Sequence, residues 1–338
     1  MSVPAGARMI YAPTWLGDAT MSLPTLRAIK RAHPEEPLLV FAGRGPGAIY
    51  RAEGTATHLL LSSGNFFEDL RRLREAAPRE VWLIALSFRA ALLAALSGAA
   101  DRIGFATDRR GFLLTRRLPP PGVAEHQLES LRRLVESRGI PADEEPPRLP
   151  ASLRELAREP LERAGLAGIR DFVLLAPGSS NPGKRWPAAR FGQLAAELDR
   201  RGLACGIVIG PGERVLARTV SEAAGRPLPV LGEDLDPAGL AGLLAHARVV
   251  VCNDSGAMHL AAAVGAPLVA LFGLTDPRLT SPTGSPYRLL DGHHPGADPE
   301  GRHGKELERI PVSDVARAVE ELISQPARPP APGLRGAP

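Results

Sequence analysis

The sequence is poor in cysteine and in aromatic residues. The two cysteines, Cys205 and Cys252, each lie inside an apolar run, so we expect reduced, buried thiols and no disulfide. Aromatic residues make up 4% of the chain against 44% for all hydrophobic residues, so the core must be built from Leu, Ala and Val. Such a core suits helices packed on a parallel sheet.

Long apolar segments are also missing. The longest, residues 83–100, is interrupted by Arg89 and predicts a strand followed by a helix, not a membrane span. At the N-terminus no charged region precedes an apolar one, and the apolar stretch ends at Asp18, so we expect no signal peptide. These features predict a cytoplasmic protein.

A strong net charge is absent as well. The chain has 41 Lys and Arg against 37 Asp and Glu, and a net charge of +4 is too small to indicate nucleic acid as a partner. Residues 1–150 hold 20 basic and 16 acidic side chains, whereas residues 151–338 hold 21 of each. The basic excess therefore lies in the first half.

Short apolar runs alternate with helical patterns along the chain. This alternation is typical of βαβ units with a parallel sheet. Strands are predicted at 9–12, 38–42, 59–61, 81–86, 172–176, 206–209, 230–231, 249–252 and 268–272, and helices of the second half at about 187–201, 213–224, 237–246 and 256–264.

The length of 338 residues suits two such domains. The proline-rich stretch 139–152 is the best candidate linker, so we expect Rossmann-like, doubly wound domains over 1–150 and 151–311. An amphipathic helix over 312–325 would close the structure, and the Pro/Gly-rich tail 326–338 should be disordered.

The first polar segment of interest is residues 13–30, which follow a strand and open a helix. Turns after strands line the ligand crevice in open α/β sheets, so Asp18 lies where chemistry is expected. An ionised carboxylate there suits a general base. The alternative is that Asp18 only caps the helix.

The second segment, residues 174–191, contains a G-x-x-x-x-G-K pattern that superficially matches a P-loop. The match fails because Arg185 replaces the Ser or Thr that binds magnesium and Pro182 removes an amide. The segment still predicts a phosphate site, in which Ser179 and Ser180 donate hydrogen bonds and Lys184 contributes charge. A solvated basic loop is the alternative.

Two acidic positions follow in the second half. Glu213 comes after a strand and a Gly-Pro-Gly turn, where it could accept hydrogen bonds from a ribose diol or merely favour the helix dipole. Asp234 and Asp236 spell D-x-D, but Pro237 follows directly, so helix capping explains them better than metal binding. We therefore predict no required metal or cofactor.

The last segment, residues 249–273, is a buried strand, a polar turn, a short helix and a second buried strand. Asp254 and Ser255 lie at the helix start, and Gly256 would allow a ligand to approach the backbone, so the free amides there suit a diphosphate. His259 could donate to the same ligand or be a packed, satisfied histidine.

Together these segments resemble the ADP-heptose:lipopolysaccharide heptosyltransferases of glycosyltransferase family 9. The resemblance covers almost the whole chain and is most specific in LGDATMSLPTLRAIK, PGSSNPGKRWP and NDSGAMHLAAAVGAPLVALFG; RIGF at 102–105 and His126 before a leucine-rich helix also match. Among family members the chain looks most like those that add the second heptose of the inner core.

The resemblance implies an inverting transferase of the GT-B architecture, with two Rossmann-like domains facing a central cleft; with the capping interpretation of Asp236, we expect it to need no metal. It implies an ADP-sugar donor, an anionic lipid-linked oligosaccharide acceptor at the inner face of the cytoplasmic membrane, and a monomer that touches the membrane peripherally. The implied roles are general base for Asp18, neutralisation of the diphosphate for Lys184, hydroxyl contacts for Ser179 and Ser180, ribose binding for Glu213, and donor binding for Asp254, Ser255, Gly256 and His259.

Residues 283–310 show little likeness to the family. Other possibilities are therefore a relative that uses another nucleotide sugar and a non-catalytic nucleotide-binding protein; the presence of Asp18 argues against the second.

An arginine-rich region suggests the acceptor site. Five arginines against one acid lie between residues 102 and 117, and Arg71, Arg72 and Arg74 add a second cluster. Arginine suits phosphate and carboxylate recognition, and the acceptor that the resemblance implies is anionic, so we assign acceptor binding to Arg109 and Arg110. An ordinary solvated surface in an arginine-rich chain is the alternative.

Overall fold

The computed structural model describes residues 6–169, 171–293 and 306–325. The chain divides into two compact units, Met1–Pro147 and Arg148–Pro338, at a point inside the proline-rich stretch. The predicted disorder of residues 326–338 concerns a segment outside the described residues.

The first unit is a six-stranded parallel sheet with helices between the strands. Its strand order is β3-β2-β1-β4-β5-β6. Its elements are β1 (Arg8–Tyr11), α1 (Leu16–Met21), α2 (Leu23–Ala32), β2 (Leu38–Ala42), α3 (Arg44–Glu53), β3 (His58–Leu61), α4 (Phe66–Ala76), β4 (Glu80–Leu83), α5 (Phe88–Leu96), β5 (Asp101–Phe105), β6 (Arg116–Leu118) and α6 (Gln127–Glu136).

The second unit repeats this plan. Its strand order is β12-β11-β10-β7-β8-β9, again parallel throughout. Its elements are α7 (Arg158–Arg163), β7 (Phe172–Ala176), α8 (Ala188–Arg200), β8 (Ala204–Val208), α9 (Arg214–Ala224), β9 (Val230–Leu231), α10 (Pro237–Leu244), β10 (Val249–Asn253), α11 (Gly256–Ala263), β11 (Leu268–Phe272), α12 (Pro277–Thr280), β12 (Tyr287–Asp291) and α13 (Val312–Ile323).

Both sheets place their strands in the doubly wound order, counted from the first strand of each unit. The chain direction across the sheet reverses between β1 and β4 in the first unit and between β7 and β10 in the second. Ligands of open α/β sheets bind outside the carboxyl ends of the strands at such a reversal. The predicted α/β class with two Rossmann-like domains is thus confirmed, and the reversals mark where each unit's site should lie.

The cores consist mainly of small and branched apolar side chains. Strands β2, β7, β10 and β11 are buried along their whole length, as expected for parallel strands covered by helices on both faces. Cys205 and Cys252 are free and buried, as predicted, and burial raises the pKa of the Cys205 thiol to about 12.

The longest apolar segment folds as predicted, with β4 followed by α5. Within the described residues, no helix is both long and apolar enough to cross a membrane.

Candidate functional site

Asp18 lies in the first unit, beside the reversal point. It occupies the first turn of α1, directly after β1, and its side chain is partly buried. The residue that precedes the helix is Trp15, which provides no side-chain cap. Burial raises the pKa of the Tyr50 hydroxyl, and the negative charge of Asp18 adds to this rise. Asp18 therefore follows β1, as predicted from the sequence. It is not the N-cap residue of α1, because Trp15 occupies that position.

Lys184 and Asp254 form an ion pair at the reversal point of the second unit. Lys184 follows β7 and Asp254 follows β10, so the two neighbouring strand ends bring them together although they are 70 positions apart. Lys184 Nζ lies 2.7 Å from Asp254 Oδ2, and the Asp254 side chain is only 7% exposed. Thr275 Oγ1 donates to the same carboxylate oxygen at 2.5 Å. The pair places a cation beside a largely buried anion at this sheet edge.

The serine turn after β7 is held in place by its neighbours. Ser179 is buried and its Oγ donates to the Asp254 carbonyl at 3.4 Å, whereas Ser180 is exposed. Arg185 donates twice to the Ser179 carbonyl, at 2.9 Å from Nε and 2.5 Å from Nη2. Ser180 is thus open to solvent, while Ser179 is already engaged with the strand end opposite.

A buried asparagine connects the two strand ends. The Asn253 amide nitrogen donates to the Pro177 carbonyl at 2.8 Å, and its oxygen accepts from the Trp186 backbone at 2.9 Å. The chain forms a short 3-10 turn at Pro182–Lys184, and α8 begins only at Ala188. No helix starts at the lysine, so the rejection of a P-loop is confirmed.

Glu213 precedes α9 at the end of β8 and packs against glycine backbone. Its Oε2 accepts from the Gly210 amide at 2.9 Å, and Arg185 Nη2 lies 3.8 Å from Oε1. A Cβ on Gly178 would lie 2.3 Å from Glu213 Oε2, so any larger residue there would displace the carboxylate. Glycine at 178 thus leaves room for the Glu213 carboxylate beside the serine turn, and the Gly210 amide holds it there.

The turn after β10 leads into α11. Ser255 precedes the helix without providing a side-chain cap, and its buried Oγ has no hydrogen-bond partner among the described residues. Gly256 opens the helix, and His259 is buried one turn later. Asp254, Ser255, Gly256 and His259 therefore lie on one strand end and the first turn that follows it.

The second acid of the D-x-D pattern, Asp236, caps a helix. Asp236 precedes α10, Pro237 is its first residue, and the Asp236 carboxylate accepts from the Gly239 amide at 2.8 Å. The capping interpretation is confirmed. In the described parts of the chain, no three His, Cys, Asp or Glu side chains are grouped so that they could hold a metal ion.

The arginines of the predicted acceptor region lie at opposite ends of the strands in the first sheet. Arg102 lies near the start of β5, and Arg116 and Arg117 begin β6, so these three lie towards the amino ends of the strands. Arg109 follows the carboxyl end of β5 and is exposed. The arginines between 102 and 117 therefore do not form one surface.

Arg110 requires a correction. Its side chain is fully buried and donates to the carbonyls of Phe105 at 2.9 Å, of Ser87 at 3.2 Å and of Ala85. Burial lowers its pKa to about 10, so the guanidinium stays charged at neutral pH. A Cβ on Gly104 would lie 3.3 Å from Arg110 Nη2. Arg110 thus holds loop backbone in place and, so buried, cannot contact an acceptor; the prediction was wrong because the sequence does not tell which of two adjacent arginines points inward.

A cavity of about 720 Å³ lies elsewhere in the second unit, against α9 and the loop after β9. Arg163, Arg214 and Arg218 contribute to its lining, and Arg214 is paired with Glu233. None of the predicted donor-binding residues lines it. The polar residues at the strand ends, not this cavity, carry the chemistry described above.

Three residues of the site were missed by sequence reasoning. From the sequence, Arg185 is notable only as a mismatch to the P-loop, and Asn253 belongs to a motif in which it has no predicted role. Thr275 follows β11, and its position after a strand was the only available signal. Their contacts join segments distant in sequence, which the topology alone brings together.

The chain matches a known protein family over most of its length. A profile of glycosyltransferase family 9 (heptosyltransferase) matches residues 70–310. The chain is 27% identical to lipopolysaccharide heptosyltransferase 2 of Salmonella typhimurium, over 94% of this chain and 97% of that protein. It is 28% identical to lipopolysaccharide heptosyltransferase 2 of Escherichia coli K12, over 93% of this chain and 97% of that protein.

Solved structures show the same fold. The structure of E. coli ADP-heptose lps heptosyltransferase II superposes with a TM-score of 0.77 at 22% identity and covers 94% of this chain and 98% of that one. The structure of a glycosyl transferase family 9 protein from Veillonella parvula superposes with a TM-score of 0.81 at 20% identity and covers 96% of this chain and 98% of that one.

Proposed function

Because the chain belongs to glycosyltransferase family 9, we propose that it transfers a heptose from ADP-heptose to the inner core of lipopolysaccharide, with inversion at the anomeric carbon. The near full-length similarity to two proteins named lipopolysaccharide heptosyltransferase 2 carries this proposal. We assign the chain a heptosyltransferase II-like role for the same reason.

In the proposed reaction the donor binds to the second unit. Lys184 and the amides at the start of α11 are the positive groups at the reversal point, where a diphosphate would lie. Negative charge grows on the diphosphate as its bond to the sugar breaks, so a fixed cation stabilises the transition state more than the ground state. Ser179 and Ser180 would add hydroxyl or amide donors, and His259 a ring nitrogen.

Glu213 would accept hydrogen bonds from the ribose hydroxyls of the donor. Its position after β8, next to the serine turn, corresponds to the acidic residue that binds ribose in dinucleotide folds. Asp254 would release Lys184 to the diphosphate and keep its contact with Thr275.

The proposed general base is Asp18 of the first unit. Its carboxylate would take the proton from the acceptor hydroxyl while that oxygen attacks the anomeric carbon and ADP leaves. Arg109, the exposed arginine of the predicted acceptor pair, would contact the anionic acceptor. We propose that these protein groups suffice without a metal ion.

Direct transfer tests the proposal. The protein is incubated with ADP-heptose and lipopolysaccharide truncated after the first heptose, and products are read by mass spectrometry. We expect one added heptose, the same yield with and without EDTA, and no product with UDP-sugars. Absence of transfer from ADP-heptose, together with transfer from another nucleotide sugar, would refute the assignment of the donor.

A further inference from the structure

Exposed apolar side chains of the first unit collect at one edge of its sheet. Trp15 follows β1, Phe67 follows β3, and Leu86 and Phe88 follow β4, and all four are exposed. The carboxyl ends of parallel strands share one edge of the sheet, so these side chains belong to the same end of the unit. Large apolar side chains that are exposed together mark interaction surfaces, so the side chains that are held side by side along this edge form the candidate surface.

Two loops at this edge are fastened together. Thr107 Oγ1 donates to the Leu86 carbonyl at 2.9 Å, and the Phe88 amide donates to Asp108 Oδ2 at 2.6 Å. The buried guanidinium of Arg110 adds bonds to the backbone of residues 85–87. We call residues 84–88 and 106–112, held by these bonds, the platform.

The backbone of the platform is strained where it is fastened. Asp108 and Arg109 have φ angles of +47° and +53°, a region that side chains other than glycine rarely adopt. Such strain persists only where surrounding contacts fix it, and it concentrates at functional sites. The platform is therefore preorganised, because contacts within the protein hold its conformation.

The fastened loops display apolar rings and one cation. Phe112 is 73% exposed, and its ring centroid lies 6.2 Å from that of Phe88. Leu86 is exposed beside them, and Arg109 is exposed between the two anchored residues Asp108 and Arg110. The Asp108 carboxylate accepts a hydrogen bond from the Phe88 amide, so the protein itself partly compensates its negative charge.

This combination fits the surface of an anionic lipid bilayer. Aromatic rings favour the boundary between headgroups and acyl chains, and arginine reaches lipid phosphates from the same depth. Arg44, exposed at the start of α3 after β2, adds a second cation to this edge. We propose that the platform docks on such a bilayer, with Phe112, Phe88 and Leu86 entering the boundary and Arg109 contacting phosphates. The inference rests on the proposed function in one respect, that a lipid-linked acceptor would be presented by this surface.

Sedimentation with vesicles tests the platform apart from catalysis. The vesicles contain phosphatidylcholine and phosphatidylglycerol and no glycolipid, so binding does not depend on the acceptor. Phe112→Ser should weaken binding about tenfold, and Leu86→Ser about threefold, because each removes apolar area from the boundary. Leu96→Ser is the matched control, since Leu96 is similarly exposed at the opposite end of α5 and should leave binding unchanged.

Charge and self-association are measured on the same proteins. Arg109→Gln should weaken binding to these vesicles and leave binding to pure phosphatidylcholine unchanged. Equal binding of wild type, Phe112→Ser and Leu86→Ser would overturn the proposal. So would a wild-type dimer that Phe112→Ser converts to monomer, because a second copy would then cover the platform. Transfer from ADP-heptose by the wild type is assayed separately, so a failure of the proposed function shows there and not in the vesicle data.

Discussion

Replacement of Lys184 by alanine tests the proposed donor site most directly. The Lys184 side chain is 26% exposed, and its ammonium lies 2.7 Å from the largely buried Asp254 carboxylate. The variant would leave that carboxylate with the Thr275 hydroxyl and without a cation. Breaking a fully buried ion pair by removing one partner costs about 3–5 kcal/mol. Because solvent reaches Lys184, we expect a loss of unfolding free energy of about 1–2 kcal/mol.

The catalytic loss should be larger than this. A cation beside the leaving diphosphate contributes about 2–4 kcal/mol to the transition state. The expected decrease in kcat/KM is therefore about 30- to 1000-fold, at roughly 1.4 kcal/mol for each factor of ten. The assay is the rate of ADP release with acceptor present, at temperatures well below the melting transition of the variant.

A second lysine provides the control. Lys30 Nζ donates to the carbonyls of Pro34 and Glu36 at the end of α2, far along the chain from the proposed donor residues. Lys30→Ala removes the same side chain and should change kcat/KM by less than about twofold. If Lys184→Ala melts at a lower temperature but keeps kcat/KM within about threefold of wild type, Lys184 is a structural residue and the reasoning fails.

Two further predictions concern acids. Asp18→Asn should lower turnover by about 10²–10⁴-fold and leave ADP binding nearly unchanged, because it removes a base and not a donor contact; turnover within threefold of wild type would contradict this role. Asp236→Ala should lower the free energy of unfolding by about 1 kcal/mol, whereas Asp236→Asn should preserve the cap to the Gly239 amide. Calorimetric melting measures both Asp236 variants, and stabilisation of the wild type by magnesium that both variants lose would indicate metal binding instead.

The sequence predicts the central strands well. Leu38–Ala42, Phe172–Ala176 and Leu268–Phe272 have the predicted bounds because they are continuous apolar runs, buried on both faces. Two strands of the first unit were missed: β5 (Asp101–Phe105), which begins with two charged residues, and β6 (Arg116–Leu118), a three-residue edge strand with two exposed arginines.

Other elements depend on contacts that periodicity does not reveal. Helix α3 begins with Arg-Gly-Pro-Gly, a poor helix-forming sequence, yet its buried Ile49 and Tyr50 fasten it to the unit. Strand β12 (Tyr287–Asp291) lies within the stretch that has little likeness to the family; residues 294–305 of that stretch lie outside the described residues.

In the candidate site, contacts between adjacent positions could be predicted from the sequence, whereas contacts between distant segments could not. The Asp236 cap was predictable because it involves three adjacent positions and a proline. The Lys184–Asp254 pair required the strand order, since β7 and β10 are neighbours in the sheet but not in the sequence. The burial of Arg110 depends on the loops that surround it. Arg109 and Arg110 have the same chemistry and are adjacent, yet Arg109 is exposed and Arg110 is buried.

The contact between Arg110 and Gly104 bears on how this chain can evolve. A Cβ at position 104 would lie 3.1 Å from the Leu83 Cβ and 3.3 Å from Arg110 Nη2, so alanine there would need both neighbours to shift by a few tenths of an ångström. Loss of the arginine would relieve only one of these contacts, because the Leu83 Cβ would still limit the size of residue 104. We therefore expect the two positions to constrain each other, with a small residue at 104 favoured wherever an arginine occupies the place of Arg110.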